Sequence, residues 1–113
     1  MFYQQQEEIK MKLQQLRFIL AIADNGLNIT QASERLYTSQ PGVSKQLRLL
    51  EEELGIRIFE RNGKNLSGIT QQGQVVLDRA DSIMQEINNI KQFSNEQNPM
   101  RRPIPVQPAL VAA

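Results

Sequence analysis

Helix punctuation between residues 12 and 55 constrains this chain more than any other feature. Leu13, Leu16, Ile19, Leu20 and Ala23 recur at helical spacing, and Asn25-Gly26 then stops the segment, because both residues tolerate the left-handed backbone at a helix end. Asn28 reads as the N-cap of a second helix, with Gln31 at the third position, and that helix reaches only to Leu36. Tyr37-Thr38-Ser39 is a tight connection. Ser39 caps a third helix, and Pro41 falls in its first turn, where a missing N–H costs nothing. This helix, residues 39–54, carries Val43, Leu47, Leu50 and Leu54 as its buried stripe and ends at Gly55. Helices this short are marginal alone in water, so the three must cover one another's apolar faces.

The next segment changes character. Ile56-Arg57-Ile58-Phe59-Glu60-Arg61 mixes β-branched and charged residues as a short strand does. Asn62-Gly63 predicts a type I′ hairpin turn, and residues 65–69 form the returning strand. Thr70 then caps a long helix reaching about Gln97, in which Val76, Ala80, Ile83, Ile87 and Ile90 are spaced four, three, four, three. That is a heptad seam, on a helix about 40 Å long. Such a stripe can pack on the chain's own first helix, but a helix of roughly 27 residues outruns what a domain this small can cover. A second copy is therefore the expected partner. Four of the five prolines (Pro99, Pro103, Pro105, Pro108) follow and end the helix.

The expected fold class is mainly α: a winged helix-turn-helix of three helices plus a two-stranded wing, followed by a long dimerisation linker helix. In domain terms, residues 1–11 are a polar N-terminal extension and residues 12–70 the winged unit. Residues 71–97 are the linker helix and residues 98–113 a Pro-rich flexible tail.

The chain has no Cys and no His. That removes disulfides, thiol nucleophiles, imidazole bases and nearly every transition-metal site. No carboxylate pair stands in a recognisable catalytic context, so no enzyme, catalytic residue, metal or cofactor is expected. The longest apolar run, Phe18 to Ala23, is far short of a membrane span, and the Gln- and charge-rich start is no signal peptide. A cytoplasmic, non-membrane protein is the expectation.

In a helix-turn-helix the second helix of the pair is the usual DNA reader. Opposite its buried stripe, the third helix shows Gln40, Pro41, Ser44, Lys45 and Arg48. Gln can pair bidentately with adenine, Lys and Arg with guanine, and Ser with a base or a phosphate. An ordinary solvated face would show the same residues, so charge placement has to decide. The net charge is only +1. Yet residues 38–70 hold five basic and four acidic side chains, whereas residues 71–97 hold two and four. The near-neutral total thus hides an expected dipole, with a basic tip and an acidic stem. Arg61 and Lys64 flank the hairpin turn, where they are either solvated or set against a DNA backbone or minor groove.

These residues also carry a resemblance. Leu16-Arg17-Phe18, Ile29-Thr30-Gln31-Ala32-Ser33-Glu34-Arg35-Leu36 and Ser39-Gln40-Pro41-Gly42-Val43-Ser44-Lys45-Gln46 are similar to LysR-type transcriptional regulators. So are Leu50-Glu51-Glu52-Glu53-Leu54-Gly55, Phe59-Glu60-Arg61, and Ile69-Thr70 with Gly73. The likeness covers roughly residues 11–97. Within the family, the wing segment Gly63-Lys64-Asn65-Leu66-Ser67-Gly68-Ile69-Thr70 is similar to the cysteine-biosynthesis regulator (CysB-like) branch.

The resemblance implies sequence-specific binding of double-stranded DNA at a pseudo-palindromic promoter site, by a homodimer joined through Val76, Ala80, Ile83, Ile87 and Ile90. A full-length protein could assemble further, to a tetramer. Recognition helix 39–54 would enter the major groove with Gln40, Pro41, Ser44, Lys45 and Arg48. Wing 58–69 would lie on the adjacent minor groove or backbone, through Arg61 and Lys64. Ser39, Thr30 and Gln31 would meet phosphates. The chain departs from the family's pattern at Ser33 (often Ala), at Lys45 (often Arg, the better bidentate reader) and at Gln71-Gln72 (often Glu-Ala). It also holds no room for the effector-binding domain that family members carry, so no small-molecule effector site is expected here. A cut-down form, a natural fragment and a frameshift product all fit that length. The alternative function is a truncated dimerisation or interaction protein that pairs with full-length regulators and modulates them.

Overall fold

A computed structural model describes residues 8–98. The elements run α1 Leu13–Asp24, α2 Ile29–Arg35, α3 Gln40–Leu54, β1 Phe59–Asn62, β2 Asn65–Ile69 and α4 Gln71–Gln97. The polar N-terminal extension falls partly, and the Pro-rich tail almost wholly, outside the described residues.

Each short helix stops where its cap chemistry places the stop. After α1, Gly26 adopts φ 67°, the Leu27 amide donates to Ile22 O at 2.9 Å, and Gly26 N–H reaches Ala23 O at 3.4 Å. These two bonds make a Schellman motif, with Leu27 folded back onto the core as its apolar partner. Asn28 Oδ1 then accepts from Gln31 N–H at 2.9 Å and starts α2. The same closure ends α2: Thr38 N–H donates to Ser33 O at 3.0 Å and Tyr37 N–H to Glu34 O at 3.2 Å. Here the left-handed position is Tyr37, at φ 55°. Ser39 Oγ accepts from Gly42 N–H at 3.1 Å at the head of α3, and Gly55 ends that helix at φ 72°.

The core joins Leu16, Phe18, Ile19 and Ile22 of α1, Ala32 of α2 and Val43, Leu47 and Leu50 of α3 with Ile58, Phe59, Leu77 and Ala80. The face of α1 differs from the expected stripe, since Leu13 is 51% exposed while Phe18 and Ile22 are buried. Residues 18–23 are apolar without a break, so spacing alone does not select a face. Gln15 is buried as well, and its Nε2 donates to Gln46 Oε1 at 3.0 Å, tying α1 to α3.

The hairpin is antiparallel, with Asn62 opposite Asn65 and Phe59 opposite Ile69. The turn is therefore Gly63-Lys64 rather than Asn62-Gly63. Of that pair only Gly63 has positive φ, at 66°, which is the type II′ pattern and not the expected type I′. Glu60 pairs with Gly68 and Arg61 with Leu66, so Ser67 is an extra residue that bulges β2.

Thr70 locks the hairpin to α4. Its hydroxyl accepts from Gly73 N–H at 2.8 Å and donates to Arg57 O, and its amide donates to Ile58 O at 3.0 Å. The chain divides into two units between Asp81 and Ser82. In the first, Gly73, Leu77 and Ala80 are the buried residues of α4. In the second, no described residue is buried, and Ile83, Ile90 and Phe93 are exposed apolar side chains. Among the described residues no helix is long and apolar enough to cross a membrane.

Candidate nucleic-acid interface

Because Val43, Leu47 and Leu50 face the core, helical geometry turns Gln40, Pro41, Ser44, Lys45 and Arg48 to the other side of α3. All five line one groove of about 930 Å³, whose far wall is formed by Arg57, Arg61, Lys64 and Leu66 of the wing and its approach. Helix and wing thus present one continuous concave surface. Ser44 is half-buried and the other four helix residues are exposed. Gln40 Nε2 donates to Ser44 Oγ at 3.2 Å, so the two side chains form one polar unit on the reading face. Arg48 Nη1 pairs with Glu52 Oε2 at 3.2 Å, with both side chains more than half exposed. An exposed i,i+4 pair contributes only about 0.3–0.5 kcal/mol, so a phosphate or base can displace Glu52 at little cost.

The residues expected at phosphates separate into two groups. Thr30 joins Gln40, Lys64 and Leu66 around a smaller recess of about 340 Å³ at the α2 end of the groove. Gln31 and Ser39 are exposed but line neither recess. Gln31 gives its amide, and Ser39 its hydroxyl oxygen, to helix capping.

Arg61, expected on the wing against the minor groove or backbone, is engaged within the fold. Its Nη2 lies 2.8 Å from Glu51 Oε1, its Nη1 donates to Phe59 O at 2.8 Å, and its side chain is 28% exposed. Glu51 itself was hidden in the sequence among three consecutive glutamates. It sits four residues after Leu47 and beside Leu50, on the buried stripe, and that register was the available signal. In the expected dimer seam, Ala80 is 1% exposed within the domain's own core and Val76 packs against it. Those two positions are occupied by the chain's own fold. Ile83 is 40% and Ile90 65% exposed, and Ile87 is half-buried. Among the described residues no group of three His, Cys, Asp or Glu side chains is placed to hold a metal ion.

A helix with Lys45 and Arg48 on its outward face, a bulged wing and a capping turn between two short helices define a winged helix-turn-helix. The chain belongs to the LysR family: residues 13–74 match the family described as bacterial regulatory helix-turn-helix protein, lysR family. It is 46% identical over 86 residues to the HTH-type transcriptional regulator CysB of Haemophilus influenzae, covering 76% of this chain and 27% of that protein. To the HTH-type transcriptional regulator cbl of Escherichia coli it is 42% identical over 85 residues, covering 75% of this chain and 27% of that protein. The chain thus spans about a quarter of the length of these curated relatives.

Among solved structures, the CbnR DBD–DNA complex matches with a TM-score of 0.69 and 30% identity, over 77% of this chain and 98% of that one. The complex of the BenM DBD with catB site 1 DNA matches with a TM-score of 0.70 and 28% identity, over 76% and 93%.

Proposed function

We propose that this chain binds double-stranded DNA in a sequence-specific way and acts in transcriptional regulation, without catalysis and in the cytoplasm. The observation that carries the reading is the shared groove: the five candidate base-reading side chains of α3 and Lys64 of the wing open onto one surface. Helix 39–54 enters the major groove, and the wing lies over the adjacent minor groove or backbone. Gln40, Ser44, Lys45 and Arg48 supply the donors and acceptors that distinguish base edges. Thr30, Gln31, Ser39 and Lys64 meet phosphates and set the register. DNA complexes of two similar domains support this reading.

The active form is a homodimer held by Ile83, Ile87 and Ile90 of α4, with exposed Phe93 extending the stripe by one turn. A two-fold pair presents two reading helices to a pseudo-palindromic promoter site. The resemblance of wing residues 63–70 to the cysteine-biosynthesis regulator branch, together with the likeness to CysB and cbl, extends the proposal to genes of cysteine and sulfur metabolism. No observation favours a chain that acts only by pairing with longer regulators.

Selection of bound sequences from a random duplex pool tests the proposal. It is expected to enrich two half-sites related by a dyad; a pool that returns unenriched would contradict it.

A further inference from the structure

The wing rests on a carboxylate. Glu51 projects from the inner side of α3, 8% exposed, and its two oxygens take three donors. Oε2 accepts from Ile58 N–H at 2.7 Å and from Phe59 N–H at 3.3 Å, and Oε1 from Arg61 Nη2 at 2.8 Å. The other amino group of Arg61 holds Phe59 O at 2.8 Å. A guanidinium is a rigid planar fork, so these bonds fix the reading helix, the entry to β1 and β1 itself in one arrangement. Lys64, the cation at the hairpin turn, lies three residues beyond Arg61 on the same ribbon.

We propose that Glu51 and Arg61 are positioning residues for DNA binding: they set the wing against the reading helix so that Lys64 reaches the phosphate backbone, and Arg61 itself contacts no DNA. The inference rests on the DNA-binding reading above and adds a division of labour within it. Its force lies in a sign. Glu51 lines the groove, and removing one negative charge from a DNA-facing surface should by Coulomb's law strengthen binding. If Glu51 positions the wing, its loss weakens binding instead. Gln in its place offers one oxygen and an NH2 group, so either Arg61 or the two backbone amides then face a donor. Lys at position 61 keeps the charge but cannot span Glu51 Oε1 and Phe59 O together.

The test uses the full 113-residue chain and a duplex that the wild-type chain selects from a random pool. In hydrogen exchange, Glu51→Gln should lose protection at the Ile58 and Phe59 amides while those of α1 to α3 keep theirs. In titration, E51Q should bind the duplex severalfold more weakly than wild type, and R61K should follow it. R61M, which leaves the amide bonds of Glu51 in place, should weaken binding on its own yet add nothing in a K64A background, because both changes remove the same phosphate contact. Two independent phosphate contacts would instead add, each lowering the salt slope by about 0.9. Wild-type or tighter binding by E51Q, or additive losses for R61M and K64A, would overturn the inference and leave DNA binding standing. A wild-type chain that selects no duplex would overturn both.

Discussion

Gly73 is where a single atom most directly tests the packing. A Cβ built there would lie 2.0 Å from Ile58 O and 2.8 Å from Ile58 Cα, so neither a side-chain rotation nor a small shift makes room. Helix propensity alone predicts that Gly73→Ala, in the first turn of α4, is mildly stabilising, by less than the ~1 kcal/mol of an interior position. The close approach of α4 to the start of the hairpin predicts the reverse, a loss of about 3 kcal/mol or more in chemical denaturation. Nothing in the sequence singled out this glycine for packing, because a contact between positions 58 and 73 exists only after the hairpin has folded back. Glu51 was concealed for a related reason: its partners are two backbone amides and a guanidinium, none of which leaves a mark on hydropathy. Caps, by contrast, act within four residues of chain, and Asn28, Ser39 and Gly55 stand where local chemistry put them.

At the scale of elements, the proposed function divides the work of recognition between α3 and the wing. Lys45 stands on the reading face of the helix and Lys64 at the hairpin turn. Lys45→Ala should therefore cost about 1–3 kcal/mol of discrimination between a selected duplex and a scrambled one. Lys64→Ala should weaken both duplexes about equally and lower the salt slope by about one. Competition titrations separate these outcomes, and equal effects of the two changes would contradict the division. The outward face of α3 was legible because one buried stripe of period 3.6 fixes its opposite. The hairpin turn was legible in kind but not in register. Asn62-Gly63 carries the stronger local signal, yet the ladder pairs Asn62 with Asn65 and moves the turn one residue on, with Ser67 absorbed as a bulge. Similarly, the unbroken apolar run of α1 concealed which side of that helix is buried.

For the whole molecule, α4 contains two kinds of apolar position that a single heptad pattern does not distinguish. Leu77 and Ala80 complete the core of the winged unit, whereas Ile83, Ile90 and Phe93 are left open to solvent. Changing Ile83 and Ile87 together to Asp should leave thermal unfolding of the winged unit nearly unchanged and give monomers in sedimentation; persistent dimers would place the interface elsewhere. The net charge of +1 sums +1 over residues 38–70, −2 over residues 71–97 and +2 over the rest, so it counts neither for nor against a nucleic-acid partner. The most direct measurement of the central claim is titration of a promoter-like duplex across a series of salt concentrations. Each neutralised phosphate contributes about 0.9 to the slope. A linear fall of log affinity with log salt, steep enough for several phosphate contacts per dimer, is the predicted result. An affinity indifferent to salt, or no binding at low salt, would contradict it.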